Sequence, residues 1–223
     1  MENIMVLRNT AFPGVFTDSE NLYTRNLTPS MKVYGERLIC YGGHEYREWA
    51  IRRSKLAAYL KLGGSFFPFN DQSKVLYLGA ASGTTASHIS DIVTNGKVYC
   101  VEISPRSFRD LLLLCNKRKN MIPILADANK PEFYQMIVGD VDVVYQDVAQ
   151  KDQVSIFLKN MRLFKAQSGL ISVKSRSEDV TRKPNEIYEE VASRIRSDGM
   201  ILIEMLPLDP FEKDHAMIAV RRK

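Results

Sequence analysis

The stretch that most limits how this chain can fold runs from Val75 to Glu102, VLYLGAASGTTASHISDIVTNGKVYCVE. Val75-Leu76-Tyr77-Leu78 is short, apolar and rich in strand formers, and it stops at Gly79 as a buried parallel strand does. Gly79 and Gly83 remove side chains where the backbone must approach a ligand, while Ser82, Thr84 and Thr85 offer hydroxyls that cap the amides of an opening helix. That helix is expected from Thr85 to about Val93. Asn95-Gly96 turns the chain, and Lys97-Val98-Tyr99-Cys100-Val101 forms a second buried strand ending on Glu102, where a nucleotide-binding βαβ unit carries its ribose-binding carboxylate. The spacing is Gly-x-x-x-Gly, short of the full dinucleotide fingerprint, so an NAD-dependent oxidoreductase is a weak reading and an ordinary βαβ unit with a glycine turn stays open.

Strand and helix keep alternating after Glu102. Pro105 to about Lys117 reads as a helix opened by Ser104 and Pro105, and Met121 to Leu125 as a third strand ending at Ala126-Asp127-Ala128. Asp127 there can receive the amino group of an adenine or cap the next helix, and both readings stand. A helix from Pro131 to about Val138, a strand Val141–Tyr145, the loop Gln146–Gln150 and a helix Lys151–Phe164 follow. Gly169–Val173 is a fifth strand stopping on Lys174, Ser175–Asp179 a polar loop, and Pro184–Asp198 a helix ended by Gly199. Met200–Leu206 and Ala216–Arg221 are the last strands. No helix fits between them, so the final strand must return antiparallel.

Such alternation predicts a mostly parallel, doubly wound sheet whose ligands bind beyond the carboxyl ends of its strands. Gly79, Glu102, Asp127, Asp147 and Lys174 all fall there. His215 joins them, because the start of a reversed strand lies on the same sheet edge as the ends of its parallel neighbours.

The 223 residues suit one α/β domain with a small appendage. A net charge of +5 favours a polyanionic partner without proving one. Cys40, Cys100 and Cys115 lack metal-ligand or CxxC spacing and read as reduced core residues of a reducing compartment. With neither a signal segment nor an apolar run long enough to span a bilayer, the expected location is cytoplasmic, away from membranes.

Residues Met1 to about Trp49 differ in kind. Short apolar runs (Val15-Phe16, Leu22-Tyr23, Val33-Tyr34, Leu38-Ile39) separated by Pro, Gly, Asn and Asp suggest an antiparallel β-appendage that docks a partner, covers a sheet edge or merely pads the structure. The expected division is residues 1–52 as this subdomain and 53–223 as the main domain. From Tyr46 to Leu60 a basic cluster leads into an amphipathic helix ended by Gly63-Gly64, on which Lys55, taken alone, is an ordinary solvated lysine. His44 and His88 read as structural, in an appendage loop and a helix.

Five βα units closed by an antiparallel pair are the arrangement of the Rossmann-like class I methyltransferase fold, a seven-stranded, mostly parallel sheet with an antiparallel last strand, whose cofactor is S-adenosyl-L-methionine. Longer motifs make the resemblance specific. Tyr46-Arg47-Glu48-Trp49, Arg53-Ser54-Lys55-Leu56-Ala57-Ala58, Leu78–Thr85, Val101-Glu102, Asp127-Ala128-Asn129, Tyr145–Gln150, Val173–Ser177 and Asp214-His215, in that order, resemble fibrillarin, and in particular the short archaeal fibrillarin-like RNA 2′-O-methyltransferases. Ala50-Ile51, Lys151 and Ser175 depart from the family's usual Asn-Pro, proline and alanine. The glycine/arginine-rich tail of eukaryotic fibrillarins is missing.

The resemblance implies a catalytic tetrad of Lys55, Asp147, Lys174 and His215. It places the cofactor on Gly79, Ala80, Ser82, Gly83, Thr84 and Thr85 of the turn, on Glu102 with Ile103, on Asp127 with Ala128, and on Asp147, Val148, Ala149 and Gln150. A ribose 2′-hydroxyl is a poor nucleophile, so methyl transfer needs a base and an in-line sulfonium methyl. Lys174 is expected to be that base, with Lys55 beside it and partial burial favouring the neutral amine, Asp147 orienting the ammonium groups, and His215 positioning the ribose or stabilising the path of the departing proton. No metal is expected. The basic patch (Arg47, Arg52, Arg53, Lys61, Arg176, Arg182, Lys183) is too modest to read an RNA sequence. The resemblance fills that gap with a box C/D ribonucleoprotein: a guide RNA, a Nop-type scaffold protein, a kink-turn-binding ribosomal-type protein, and rRNA or tRNA targets. A catalytically silent scaffold of the same fold is the alternative.

Overall fold

In the computed structural model, which describes residues 6–223, the chain builds two sheets. The first is antiparallel and small: β1 (Arg8–Asn9), β2 (Val15–Thr17), β3 (Leu22–Arg25), β4 (Leu38–Tyr41) and β5 (His44–Trp49), in the order β1-β2-β3-β5-β4. Residues 1–5 of the expected subdomain lie outside the described residues. Val33-Tyr34 is not a strand, because the amides of both residues turn to the Glu36 carboxylate at 2.8–3.0 Å instead of to a neighbouring chain. Tyr46–Trp49 belongs to β5, and His44 opens that strand. A single 3-10 turn, Ile51–Arg53, then separates β5 from helix α1 (Lys55–Lys61). Cys40 is exposed on the edge strand β4, whereas Cys100 and Cys115 are buried as expected.

The second sheet has seven strands. β6 (Lys74–Leu78), α2 (Thr84–Ile92), β7 (Lys97–Glu102), α3 (Pro105–Cys115) and β8 (Met121–Leu125) build one half. The other half is α4 (Gln135–Val138), β9 (Val143–Gln146), α5 (Gln153–Leu163), β10 (Ser168–Lys174), α6 (Ser175–Glu178), α7 (Pro184–Ser197), β11 (Ile201–Pro207) and β12 (His215–Arg221). The order is β11-β12-β10-β9-β6-β7-β8, with β12 antiparallel to both neighbours, as the lack of room for a helix between the last two strands requires. The fold is therefore the expected Rossmann-like one with an antiparallel last strand.

Alternation along each central strand divides the core in two. Val75, Tyr77, Val143 and Tyr145 face α1, α2 and α3, while Leu76, Leu78, Val144 and Ile171 face α5 and α7. Three local expectations change. Val141-Asp142 precedes β9, because the Asp142 carboxylate is spent on the Lys74 amide at 2.7 Å. The segment 131–138 is a 3-10 turn followed by the short α4, ended by Gly139 at φ +64°. Ser175–Glu178 is one helical turn instead of a loop.

The small sheet is bound to α2 through buried charge. Arg47 is fully buried, so it drops out of the expected basic patch; its guanidinium meets Glu36 at 2.6 Å, Asp91 at 2.8 Å and the Ser87 hydroxyl at 2.9 Å. Asp91 also receives Arg118 at 2.6 Å and Thr24 at 2.8 Å. Two arginines and two carboxylates compensate one another here, as buried ions must. His88 fills the space beside them, 2.7 Å from Thr24 and stacked 5.0 Å from Trp49, which is the structural role the sequence suggests.

Candidate active site

The chain leaves β6 for β7 on one side and later returns through β9 on the other, so a crevice opens where the carboxyl ends of β6 and β9 diverge. It encloses about 360 Å³. Gly79 makes the crevice possible. Its φ is +80°, and a Cβ there would stand 2.3 Å from the Asp147 carbonyl oxygen. Its amide and that of Ala80 both donate to the Val101 carbonyl, at 2.9 and 3.0 Å, bending the turn over β7.

Glu102 is held rigidly at the end of β7. One carboxylate oxygen accepts the Ala81 amide and the other the Ser104 amide, both at 2.7 Å. Each oxygen keeps a further lone pair, so the pair can accept the two hydroxyls of a ribose. Ile103, Ala128 and Val148 supply apolar walls beside it, suited to a flat base. Gly79, Asp147, Ala149 and Gln150 of the expected cofactor set line the remainder, and Ala81, Val101 and Ala126 join them.

Other expected cofactor residues stand elsewhere. Ala80 is buried in the core, and Gly83, at φ +92°, packs against Leu111 and Leu114 as the N-cap of α2. Ser82 and Thr84 face a separate hollow with Arg53 and Tyr34. Thr85 is buried, and its hydroxyl donates to Ser54 at 2.9 Å. One Asp127 oxygen accepts the Asn129 amide at 2.9 Å and closes a local turn, whereas the helical turn that follows is capped at Lys130 without a side-chain hydrogen bond, so the helix-cap reading is not borne out. These residues shape the turn more than they line the crevice.

Ser54 was not singled out in the sequence, although a serine directly before Lys55-Leu56-Ala57-Ala58 is an N-cap signature. Its hydroxyl accepts the Ala57 amide at 3.3 Å and the Thr85 hydroxyl, which joins the start of α1 to the start of α2. Lys55 is thereby aimed over the crevice, and its ammonium meets the Asp147 carboxylate at 3.0 Å with both side chains about one-fifth exposed.

Lys174 and His215 are direct partners in the β10–β12 register, so they project from the same face. The His215 pKa is lowered, chiefly by burial and further by Lys55, against the opposing pull of its hydrogen bond to the Lys213 carbonyl and a smaller one from Asp147. Its Nδ1 lies 2.8 Å from the Lys213 carbonyl, which can only accept; Nδ1 therefore carries the proton and the neutral ring offers Nε2 as an acceptor. An ion pair, a second lysine and a neutral imidazole thus share one rim beside a nucleoside-sized crevice. Among the described residues, no group of three or more His, Cys, Asp or Glu could hold a metal ion, and no helix is long and apolar enough to cross a membrane.

Of the expected basic patch, Arg52 and Arg53 remain exposed near this rim, each over an aromatic ring, Phe211 and Tyr34. Arg176 pairs with Asp214 and Arg182 with Glu186 and Glu190.

Comparison with known proteins places this geometry in context. A fibrillarin-like rRNA/tRNA 2′-O-methyltransferase of Methanothermobacter thermautotrophicus is 52% identical over 211 residues, covering 94% of each chain. The crystal structure of Aeropyrum pernix fibrillarin in complex with natively bound S-adenosyl-L-methionine superposes with a TM-score of 0.89 at 42% identity, covering 99% of this chain and all of that one. Fibrillarin from a fibrillarin/Nop5p complex gives a TM-score of 0.88 at 39% identity, over 96% of this chain and 100% of the other. The sequence model named Fibrillarin matches residues 6–223, from β1 to the last residue of the chain, and with these relatives it establishes that the chain belongs to the fibrillarin family.

Proposed function

We propose that this protein transfers the methyl group of S-adenosyl-L-methionine to a ribose 2′-hydroxyl of ribosomal RNA, and of some transfer RNA, at positions chosen by a box C/D guide RNA within a ribonucleoprotein. The observation that carries the reading is the 3.0 Å Lys55–Asp147 pair at the mouth of a nucleoside-sized crevice, with Lys174 and His215 in register beside it. The names of relatives about half identical along nearly the whole chain support it.

The crevice fits the cofactor: Glu102 would take its ribose hydroxyls, Ile103, Ala128 and Val148 its base, and Gly79 leaves the room for it. When bound, S-adenosyl-L-methionine supplies an electrophilic methyl on a sulfonium. The chain's own groups do the rest. Lys174 removes the 2′-hydroxyl proton, while Lys55, paired with Asp147, holds the carboxylate at the rim. His215 accepts a hydrogen bond at Nε2 and orients the ribose.

Sequence choice lies outside the chain, with a guide RNA and a kink-turn-binding protein completing the particle. For the Nop-type scaffold, the apolar surface of the segment between β8 and β9 is the docking face: Phe133, Met136 and Ile137 are 74, 97 and 57% exposed. The fibrillarin/Nop5p complex of a relative supports such a partner. In the same proposal, residues 1–52 act as a docked subdomain and 53–223 as the catalytic one.

The test is methyl transfer from tritiated cofactor to a guide-paired RNA carrying either a 2′-hydroxyl or a 2′-deoxy target. Label is expected in the hydroxyl RNA alone, and Lys174→Ala should abolish it with cofactor binding intact. Equal labelling of both RNAs, or no labelling by the intact particle, overturns the proposal, the second outcome favouring a silent scaffold.

A further inference from the structure

We infer that Gln153, the first residue of α5, is a positioning residue that fixes the reach of Lys174. The inference rests on Lys174 being the general base. Gln153 is completely buried, and its side-chain amide forms a two-way clamp on the Lys174 peptide: Nε2 donates to the Lys174 carbonyl and Oε1 accepts the Lys174 amide, both at 3.0 Å. The second Nε2 hydrogen goes to the Glu178 carboxylate at 3.0 Å.

The clamp matters because of where β10 ends. The β9–β10 ladder runs from Ser168 to Ile171, and β9 gives way to the loop 147–152 before Lys174 is reached. On that side Lys174 has a side-chain amide where a strand would otherwise be. Gln153 continues the sheet for one residue, at the position where a long flexible side chain must be aimed.

The main chain of Gln153 is fastened separately. Its amide donates to Glu178 at 2.7 Å, and its carbonyl accepts Gln146 Nε2 at 2.7 Å, which closes the loop bearing Asp147 to Gln150 from end to end. Replacing the side chain therefore loosens Lys174 and leaves the cofactor loop closed.

Gln153→Met preserves length and volume and removes every side-chain hydrogen bond. Single-turnover methyl transfer in the assembled particle is expected to slow roughly 10- to 100-fold, with cofactor affinity by calorimetry unchanged. Gln153→Glu supplies a second reading. A protonated carboxyl reproduces both bonds to Lys174, an ionised one cannot donate, and burial beside Glu178 favours the protonated form. Its rate relative to wild type should therefore climb as pH is lowered, a dependence that loosened packing would not produce.

A wild-type rate in folded Gln153→Met, or a loss of cofactor affinity that parallels the loss of rate, overturns the inference. If Gln153→Met fails to fold, a rate ratio for Gln153→Glu that stays below one and does not change with pH overturns it. Activity surviving in Lys174→Ala would instead refute the general-base reading, so the two failures are distinguishable.

Discussion

Gly79 and Gly63 both sit in the left-handed region, at φ +80° and +93°, yet their surroundings differ. A Cβ at Gly63 would meet nothing within 4 Å, whereas one at Gly79 would press on the Asp147 backbone and Val148. Alanine at either position pays backbone strain of about 1–3 kcal/mol. At Gly79 it must also push the end of β9 away from β6, which opens the crevice and shifts Asp147. Gly63→Ala is expected to lower stability in denaturant titrations and keep cofactor affinity; Gly79→Ala is expected to lose roughly 10-fold or more in that affinity as well. Equal affinities for the two variants would show that the Gly79 contact does not shape the site. Sequence alone revealed Gly79, because a glycine ending an apolar strand is a local signal. It did not reveal Gln153, whose importance comes from a backbone 21 residues away.

At the scale of elements, the junction between the small sheet and α2 carries a pH dependence. His88 lies beside Arg47 and Arg118, and burial first, then these two charges, hold its pKa well below the usual histidine value. In the unfolded chain the ring takes a proton below about pH 6.5. The folded chain refuses that proton, so the unfolded state binds more protons and stability falls as pH drops, with a slope that steepens towards a limit of about 1.4 kcal/mol per unit for this one site. His215, also lowered, adds to the same trend. Urea titrations between pH 6.5 and 5 should show a shallower decline for His88→Gln than for wild type, and identical slopes would contradict the assignment. This junction was hidden in the sequence. The strands β6 and β7 could be read from apolar runs and the turn Asn95-Gly96, but Arg47 looked like surface charge, since its partner Asp91 lies 44 residues on. The break at α4 was hidden for a related reason: four residues ended by Gly139 carry too little periodicity to separate one turn from a helix.

Across the whole molecule, the surface carries a charged rim at the crevice and an apolar shoulder at Phe133, Met136 and Ile137. Met136→Asp puts charge on the most exposed of the shoulder's side chains, on α4, away from the residues that line the crevice. The variant should keep its melting temperature and its cofactor affinity while binding of the Nop-type scaffold weakens by about 1–3 kcal/mol, measured by calorimetry. Undiminished scaffold binding would move the docking face elsewhere. A last consequence comes from β12, which follows β11 in the chain and yet lies between it and β10. Until that strand inserts, two sheet edges stay unpaired and His215 has no station opposite Lys174. On the proposed role of His215, chemical competence and completion of the sheet arrive together: the crevice is lined from β6 to β9, and the reacting rim is complete only once the final hairpin closes.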